Sequence, residues 1–360
     1  MRVANDAVLR HDMDAQAVAN ALNALSKWPE RAECRGAAVA LAARVTSDAG
    51  LRHNMSAQQV ANALNALSKW PERVECRDAA LPLSARVANE AALRYGMDAQ
   101  AVAMTLNALS KWPERVACRS AAVALSVRVT GDAGLRYAMS AQQVANALNA
   151  QSKWPERIEC RDAVLSLAER VANEAALRHV MNAQQIANAL NALSKWPERV
   201  ECQDTAAVLS ARVADDAALR HGMDTRAMAS VLNALSKWPE APACRRATVL
   251  LMALPGEAGH PWRQFDMSGL AQVANASARL FLSAPTRSRS RRWRAQSSGA
   301  GRPPRPASGA FRDSLGQKYR HPLQGDGIAA VAGADAATGP RRPEPDREPM
   351  SPDRPARREP

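Results

Sequence analysis

The sequence predicts an all-α protein, a right-handed α-solenoid of about six 42-residue helical repeats followed by a disordered tail. Three observations carry that expectation. Tryptophan precedes proline at Trp28, Trp70, Trp112, Trp154, Trp196 and Trp238, an unslipped period of 42. Cysteine follows each of them six residues later, at Cys34, Cys76, Cys118, Cys160, Cys202 and Cys244. Period-two alternation and Val/Ile/Thr/aromatic runs between turn signals, the marks of strands, are absent.

A period of about 40–47 residues suits stacked helical repeats of the HEAT or armadillo kind, in which each unit buries its apolar face against its neighbours. The first helix of a unit is well marked in "MSAQQVANALNALSKW", which starts at Met55. Ser56 is placed to cap it, and Gln59 three residues on completes a capping box. Met55 before the cap and Val60 four residues after it form a hydrophobic staple, repeated as Met13–Val18, Met97–Val102 and Met139–Val144. Where the cap is Ser56, Ser140 or Asn182 the third position is Gln; where it is Asp14, Asp98 or Asp224 that position is Ala. A charged cap already complements the helix dipole and gains less from a reciprocal Gln; duplication of a two-repeat block would give the same alternation.

At about 100° per residue Val18, Leu22 and Leu25 share one helix face, flanked by alanines small enough to let neighbouring helices approach closely. The helix must end before Pro29, which then suits the first position of a second helix, with Glu30 and Glu33 near its positive end. That second helix carries the stripe Cys76, Ala80, Leu83 and Val87. A break near Asn89–Glu90 into a short third helix carrying Leu93 is one expectation, a two-helix unit the other. Pro82 is expected to kink the second helix in its copy.

Residues 1–282 form the expected array and 283–360 the tail. The array starts mid-repeat, as a fragment or a start inside a longer array would, and a degenerate seventh copy occupies 267–282. The tail is rich in Arg, Pro, Gly, Ser and Ala, with 16 basic and 8 acidic residues, a composition that buries too little apolar surface to fold. Out-of-frame translation of a GC-rich gene would look similar. The whole chain has 48 Lys and Arg against 35 Asp and Glu, a formal charge of +13.

The six cysteines contain no Cys-x-x-Cys pair and stand one repeat apart, beyond disulfide reach, so they are expected to be reduced core residues. No secretory signal peptide and no run of about 18 apolar residues appears, so neither Sec export nor a membrane span is expected. Gly-rich phosphate loops, His-Glu-x-x-His and metal-spaced Cys/His clusters are likewise missing from the sequence. His11, His53, His179 and His221, with Tyr95 and Tyr137 in the other copies, occupy one repeat position and suit a helix–helix junction rather than a converging site. The expectation is a monomeric, non-enzymatic protein without cofactor or metal.

The face opposite Val18, Leu22 and Leu25 carries Gln16, Asn20, Asn23 and Lys27. The Asn23 position recurs as Asn65, Asn107, Asn149, Asn191 and Asn233, and the Lys27 position as Lys69, Lys111, Lys153, Lys195 and Lys237. Asparagine is a mediocre helix former, so its recurrence at one exposed position calls for a reason. Its amide both donates and accepts, and a ladder of them would hold an extended peptide backbone or base edges. Two other readings stand beside that one: amides bonded between neighbouring repeats, or simple copying by duplication. The six tryptophans are expected to plug the joints between units, the alternative being ligand-facing rings.

The corner "SKWP", at Ser26–Pro29 and in five later copies, resembles the signature of the SKWP-repeat family of type III secreted effectors of plant-pathogenic bacteria. The resemblance covers about residues 2–252 and implies a HEAT/armadillo-like solenoid, injection into host cells and a virulence role without an assigned reaction. More weakly, "ANALNALSK" at Ala19–Lys27 is similar to one helix of octotricopeptide-type RNA-binding repeats. The expected function is therefore a scaffold binding a host protein or extended peptide along the Asn/Lys row, with single-stranded RNA of little sequence selectivity as the alternative.

Overall fold

Within each stretch of 42 residues the backbone makes three helices, which decides between the two- and three-helix units. The computed structural model describes residues 5–254 and 266–282, all belonging to one compact unit, Met1–Ser288. The described residues form 19 helices and no strand. The disordered tail expected over 283–360 lies outside the described residues.

Eleven-residue helices run over Ala15–Leu25, Ala57–Leu67, Ala99–Leu109, Ala141–Gln151, Ala183–Leu193 and Thr225–Leu235. Sixteen-residue helices follow the first five, at Ala32–Ser47, Val74–Asn89, Val116–Gly131, Ile158–Asn173 and Val200–Asp215, and Pro242–Ala253 follows the sixth. Short helices of five or six residues, such as Ala49–Asn54 and Ala91–Tyr95, link each long helix to the next unit. Successive eleven-residue helices pack on one another, as do successive sixteen-residue helices, so the array has two parallel layers. Met267–Leu282 packs on Thr225–Leu235, where a further eleven-residue helix would lie.

Local chemistry sets the helix starts. Ser56, Ser140 and Asn182 each form a complete capping box with the Gln three residues on. Asp14, Asp98 and Asp224 each accept the backbone N–H of the Ala at that position at 2.7 Å. The eleven-residue helices end where the serine of the corner folds back, its hydroxyl donating to the Asn carbonyl three residues earlier, at 2.7 Å for Ser68 to Asn65.

The second helix starts later than the sequence suggests. In the second copy Pro71 lies in a turn closed by the Arg73 N–H donating to the Trp70 carbonyl at 3.0 Å, and the helix begins at Val74. Proline suits the second position of such a turn, where its fixed φ is already correct, so the turn takes the residue that would otherwise open the helix. Proline does stand at the helix start in one copy, Pro242. Pro82 does not break its helix, which runs continuously over Val74–Asn89.

Cys76, Ala80, Leu83 and Val87 are fully buried between layers, with Leu93 of the short helix closing the stripe. Val60, Leu64 and Leu67 are buried from the other layer, and Ala61, Ala63 and Ala66 allow the neighbouring helices to close on them. Met55, Met97, Met139, Met181 and Met223 are all buried at the helix entries. Cys34 is half-buried, the other five cysteines are buried, and all six are free thiols. Burial pushes the Cys76 and Cys202 thiols up to about 12 and that of Cys160 to about 11.

An arginine staple, not anticipated from sequence, ties the units together. Arg86 donates to the carbonyls of Arg52 and Met55 in the preceding unit, the latter at 3.1 Å, and pairs with Glu90 at 2.7 Å. Arg128 and Arg170 make the same two carbonyl contacts one and two units later. Cations here satisfy orphan carbonyls at the end of the preceding short helix and complement its dipole. The His/Tyr row is not packed inside the junction: Tyr95 and Tyr137 are 68% and 65% exposed, and the four histidines are exposed. Each tyrosine ring instead lies under the arginine of the following unit, Arg128 or Arg170, at 5.5 Å. The polar hydroxyl keeps the tyrosine position wet while the ring face takes the guanidinium.

Candidate ligand groove

The helices that carry the Asn row form one layer, so their outward faces line up side by side. Each Asn sits one turn before the corner, its backbone carbonyl held by the serine hydroxyl and its side chain directed away from the core. All six of Asn23, Asn65, Asn107, Asn149, Asn191 and Asn233 are half-buried. None of their side-chain amides takes part in a hydrogen bond among the described residues. The amides therefore do not bond from repeat to repeat, and their donors and acceptors face solvent. The neighbouring row behaves differently: Gln58 donates to Asn62 at 3.1 Å and Gln184 to Asn188 at 3.0 Å, each along its own helix.

The structure gathers the later members of both rows. Asn107, Asn149 and Asn191 line one cavity of about 690 Å³ together with Lys111, Lys153 and Arg226. A second cavity of about 630 Å³ continues it, sharing Asn191 and Arg226 and adding Lys195 and Asn233. The earlier members Asn23, Lys27, Asn65 and Lys69 line neither cavity, nor does Lys237.

Arg226 is a residue that sequence reasoning passed over. At its repeat position the other copies have Gln16, Gln58, Gln100, Gln142 and Gln184, so the departure from the repeat was the available signal. It stands at the start of its helix while Lys111 follows the end of another, and the two line one cavity although their helices are not neighbours. The groove thus runs obliquely across the layer.

Its electrostatics are one-sided. Burial in the groove, then the charges of Lys69 and Arg226, hold Lys111 below the usual lysine range. Lys153 is lowered by burial and then by Lys195, Lys111 and Arg226. Lys237 is lowered by burial, Arg279 and Lys195. Among the described residues no carboxylate lines the larger cavity; the continuing one has Asp266, whose side chain accepts the Gly269 N–H at 2.6 Å.

Five of the six tryptophans face the core and not the groove. Trp70, Trp112, Trp154, Trp196 and Trp238 are buried, and four of them donate the indole N–H to a proline carbonyl of the preceding corner. Trp28 is 48% exposed, with Arg31 over its ring at 6.0 Å. Among the described residues no aromatic ring lines either cavity.

Among the described residues no group of three or more His, Cys, Asp or Glu is placed to hold a metal ion, and no helix is long and apolar enough to cross a membrane. Compared with known proteins, the chain matches no family model and no curated protein.

Proposed function

We propose that the protein is a non-enzymatic repeat scaffold, a right-handed solenoid of six 42-residue units, that holds an extended acidic peptide segment of a partner protein in the Asn/Lys groove. The observation that carries this reading is the set of unpaired amides on Asn107, Asn149 and Asn191, aligned along one cavity with Lys111 and Lys153. A half-buried amide with both functions unspent is matched to a backbone that offers N–H and C=O in alternation. The lysines supply attraction to an acidic chain, as favourable encounter and orientation more than affinity. The resemblance of the "SKWP" corner to type III effectors makes a host-cell protein the expected partner and delivery by that system the expected route.

Single-stranded RNA is the second reading, favoured by the run of mutually repelling cations. It ranks second because non-selective single-strand binders rely on aromatic rings as stacking platforms, and none of the described residues lining the groove is aromatic. The deciding experiment is fluorescence anisotropy of the full chain with labelled acidic peptides of mixed sequence and with labelled mixed single-stranded RNA. Peptide binding that is lost in the Asn107→Ala/Asn149→Ala/Asn191→Ala variant, with its helical circular dichroism intact, supports the proposal. Unchanged peptide binding by that variant, or RNA binding tighter than any peptide, overturns it.

A further inference from the structure

The larger cavity concentrates positive charge at one place and leaves it uncompensated. Lys111, Lys153 and Arg226 come from three different units and converge on the same space of about 690 Å³. Among the described residues none of the three makes an ion pair or hydrogen bond and no carboxylate lines the cavity. Several arginines elsewhere in the array are paired: Arg86 and Arg170 pair with Glu90 and Glu174 and cap carbonyls, and Arg246 pairs with Asp215 at 2.8 Å. The convergence is also specific to this part of the groove, because an arginine replaces the Gln of the other copies only at Arg226.

We propose that Lys111, Lys153 and Arg226 form a receptor for a phosphate monoester, so that the groove takes a peptide phosphorylated on a side chain, with the phosphoryl group seated among these three residues. The inference rests on the peptide-groove reading and adds the chemical class of the anchor. A carboxylate brings one negative charge and two oxygens. A phosphorylated side chain brings about −1.5 to −2 charges at neutral pH and three strong acceptor oxygens. Two ammonium groups and a planar guanidinium match the larger charge, and the guanidinium can meet two oxygens at once. Asn107, Asn149 and Asn191 around the cations leave amides for the backbone on either side of the modified residue. Burial and mutual repulsion already penalise the two lysine charges in the empty groove, and a dianion relieves the repulsive part of that penalty.

The test uses the full chain and labelled peptides of about nine residues, with one central phosphoserine, serine or glutamate in otherwise identical acidic flanks, read by anisotropy. The phosphoserine peptide is expected to bind at least about tenfold more tightly than the serine peptide, the scale of one or more charge-assisted hydrogen bonds. Inorganic phosphate should erase that advantage. Arg226→Gln restores the residue found in the other five copies, so it keeps the fold; it should cut the phosphoserine affinity severalfold and the serine-peptide affinity by distinctly less, so that the ratio between the two peptides falls. Equal binding of phosphoserine and serine peptides, or an undiminished advantage in both Arg226→Gln and Lys111→Gln/Lys153→Gln, overturns the phosphate site. So does mixed single-stranded RNA binding more tightly than the phosphoserine peptide. The two failures are distinguishable: serine-peptide binding that vanishes in the triple Asn variant while phosphate adds nothing defeats only this inference. A phosphate advantage that persists while the triple Asn variant binds normally defeats only the groove reading.

Discussion

Trp112 donates its indole N–H to the carbonyl oxygen of Pro71, in the preceding corner, at 3.1 Å. The ring is 3% exposed, so one residue contributes both a large buried area and a polar link between consecutive units. Trp112→Ala is expected to cost about 3–5 kcal/mol, and Trp112→Phe less, since it keeps most of the ring and loses the hydrogen bond. Trp28→Ala, at an exposed ring, should cost below about 1 kcal/mol. Urea melts of the three variants measure the contrast; equal losses for Trp28 and Trp112 would contradict it.

Gln151 stands where the other copies have Leu25, Leu67, Leu109, Leu193 and Leu235, and it is fully buried. Its Nε2 donates to Ser126 Oγ at 3.2 Å, but its Oε1 has no partner. A buried acceptor left unsatisfied costs about 1–3 kcal/mol. Gln151→Leu should therefore raise the melting temperature, while Ser126 keeps its contact with Cys160 Sγ at 3.5 Å. A lowered melting temperature would show that the Gln–Ser link outweighs the orphaned oxygen.

The thiols divide into two groups. Cys76, Cys118, Cys160, Cys202 and Cys244 are buried, with thiol pKa values raised by burial, so almost none is thiolate near neutral pH. Treatment of the native protein with an aromatic disulfide reagent at about pH 8 should release one equivalent rapidly, from half-buried Cys34, and all six only after denaturation. Rapid release of three or more equivalents would mean that the layers open.

The Arg86 staple has an acid limb. The hydrogen bond from Arg86 holds the Glu90 carboxyl below its usual range, with the Arg86 charge adding to it. A depressed carboxylate stabilises the fold at pH above its unfolded value, and that contribution disappears as pH falls through the depressed folded value. Glu90→Gln should lower stability slightly at neutral pH and flatten its decline on acidification, measured by urea midpoints between about pH 3 and pH 7. An unchanged pH profile would place the staple's strength in the carbonyl contacts of Arg86 alone.

The groove lysines share the sign of that pH slope, but in them the charged form is the one the fold disfavours. Their folded pKa values are lowered, so the folded chain holds fewer protons on them than the unfolded chain, and stability improves as pH rises through the lowered values. Lys153→Gln is expected to leave the melting temperature unchanged or raise it, while weakening capture of an acidic peptide. A stability loss above about 1 kcal/mol would assign Lys153 a structural role instead.

Much of this protein is legible along the chain because the interactions concerned are local. A capping box spans three residues, a helix face repeats every three to four, and a proline excludes the helix just before it. The period of 42, the capped eleven-residue helices and the stripe Cys76–Ala80–Leu83–Val87 follow from such rules, whereas the short helix carrying Leu93 was one of two possibilities that only the structure decided. The start of the second helix did not, because a turn through Pro71 and a helix from Pro71 satisfy the same local preference. The reach of Arg86 to carbonyls more than 30 residues earlier depends on how units stack, and so does the absence of bonds between the Asn amides. The meeting of Lys111, Lys153 and Arg226 in one cavity belongs to the same class. That meeting depends on how successive units stack, which no rule local to the chain encodes.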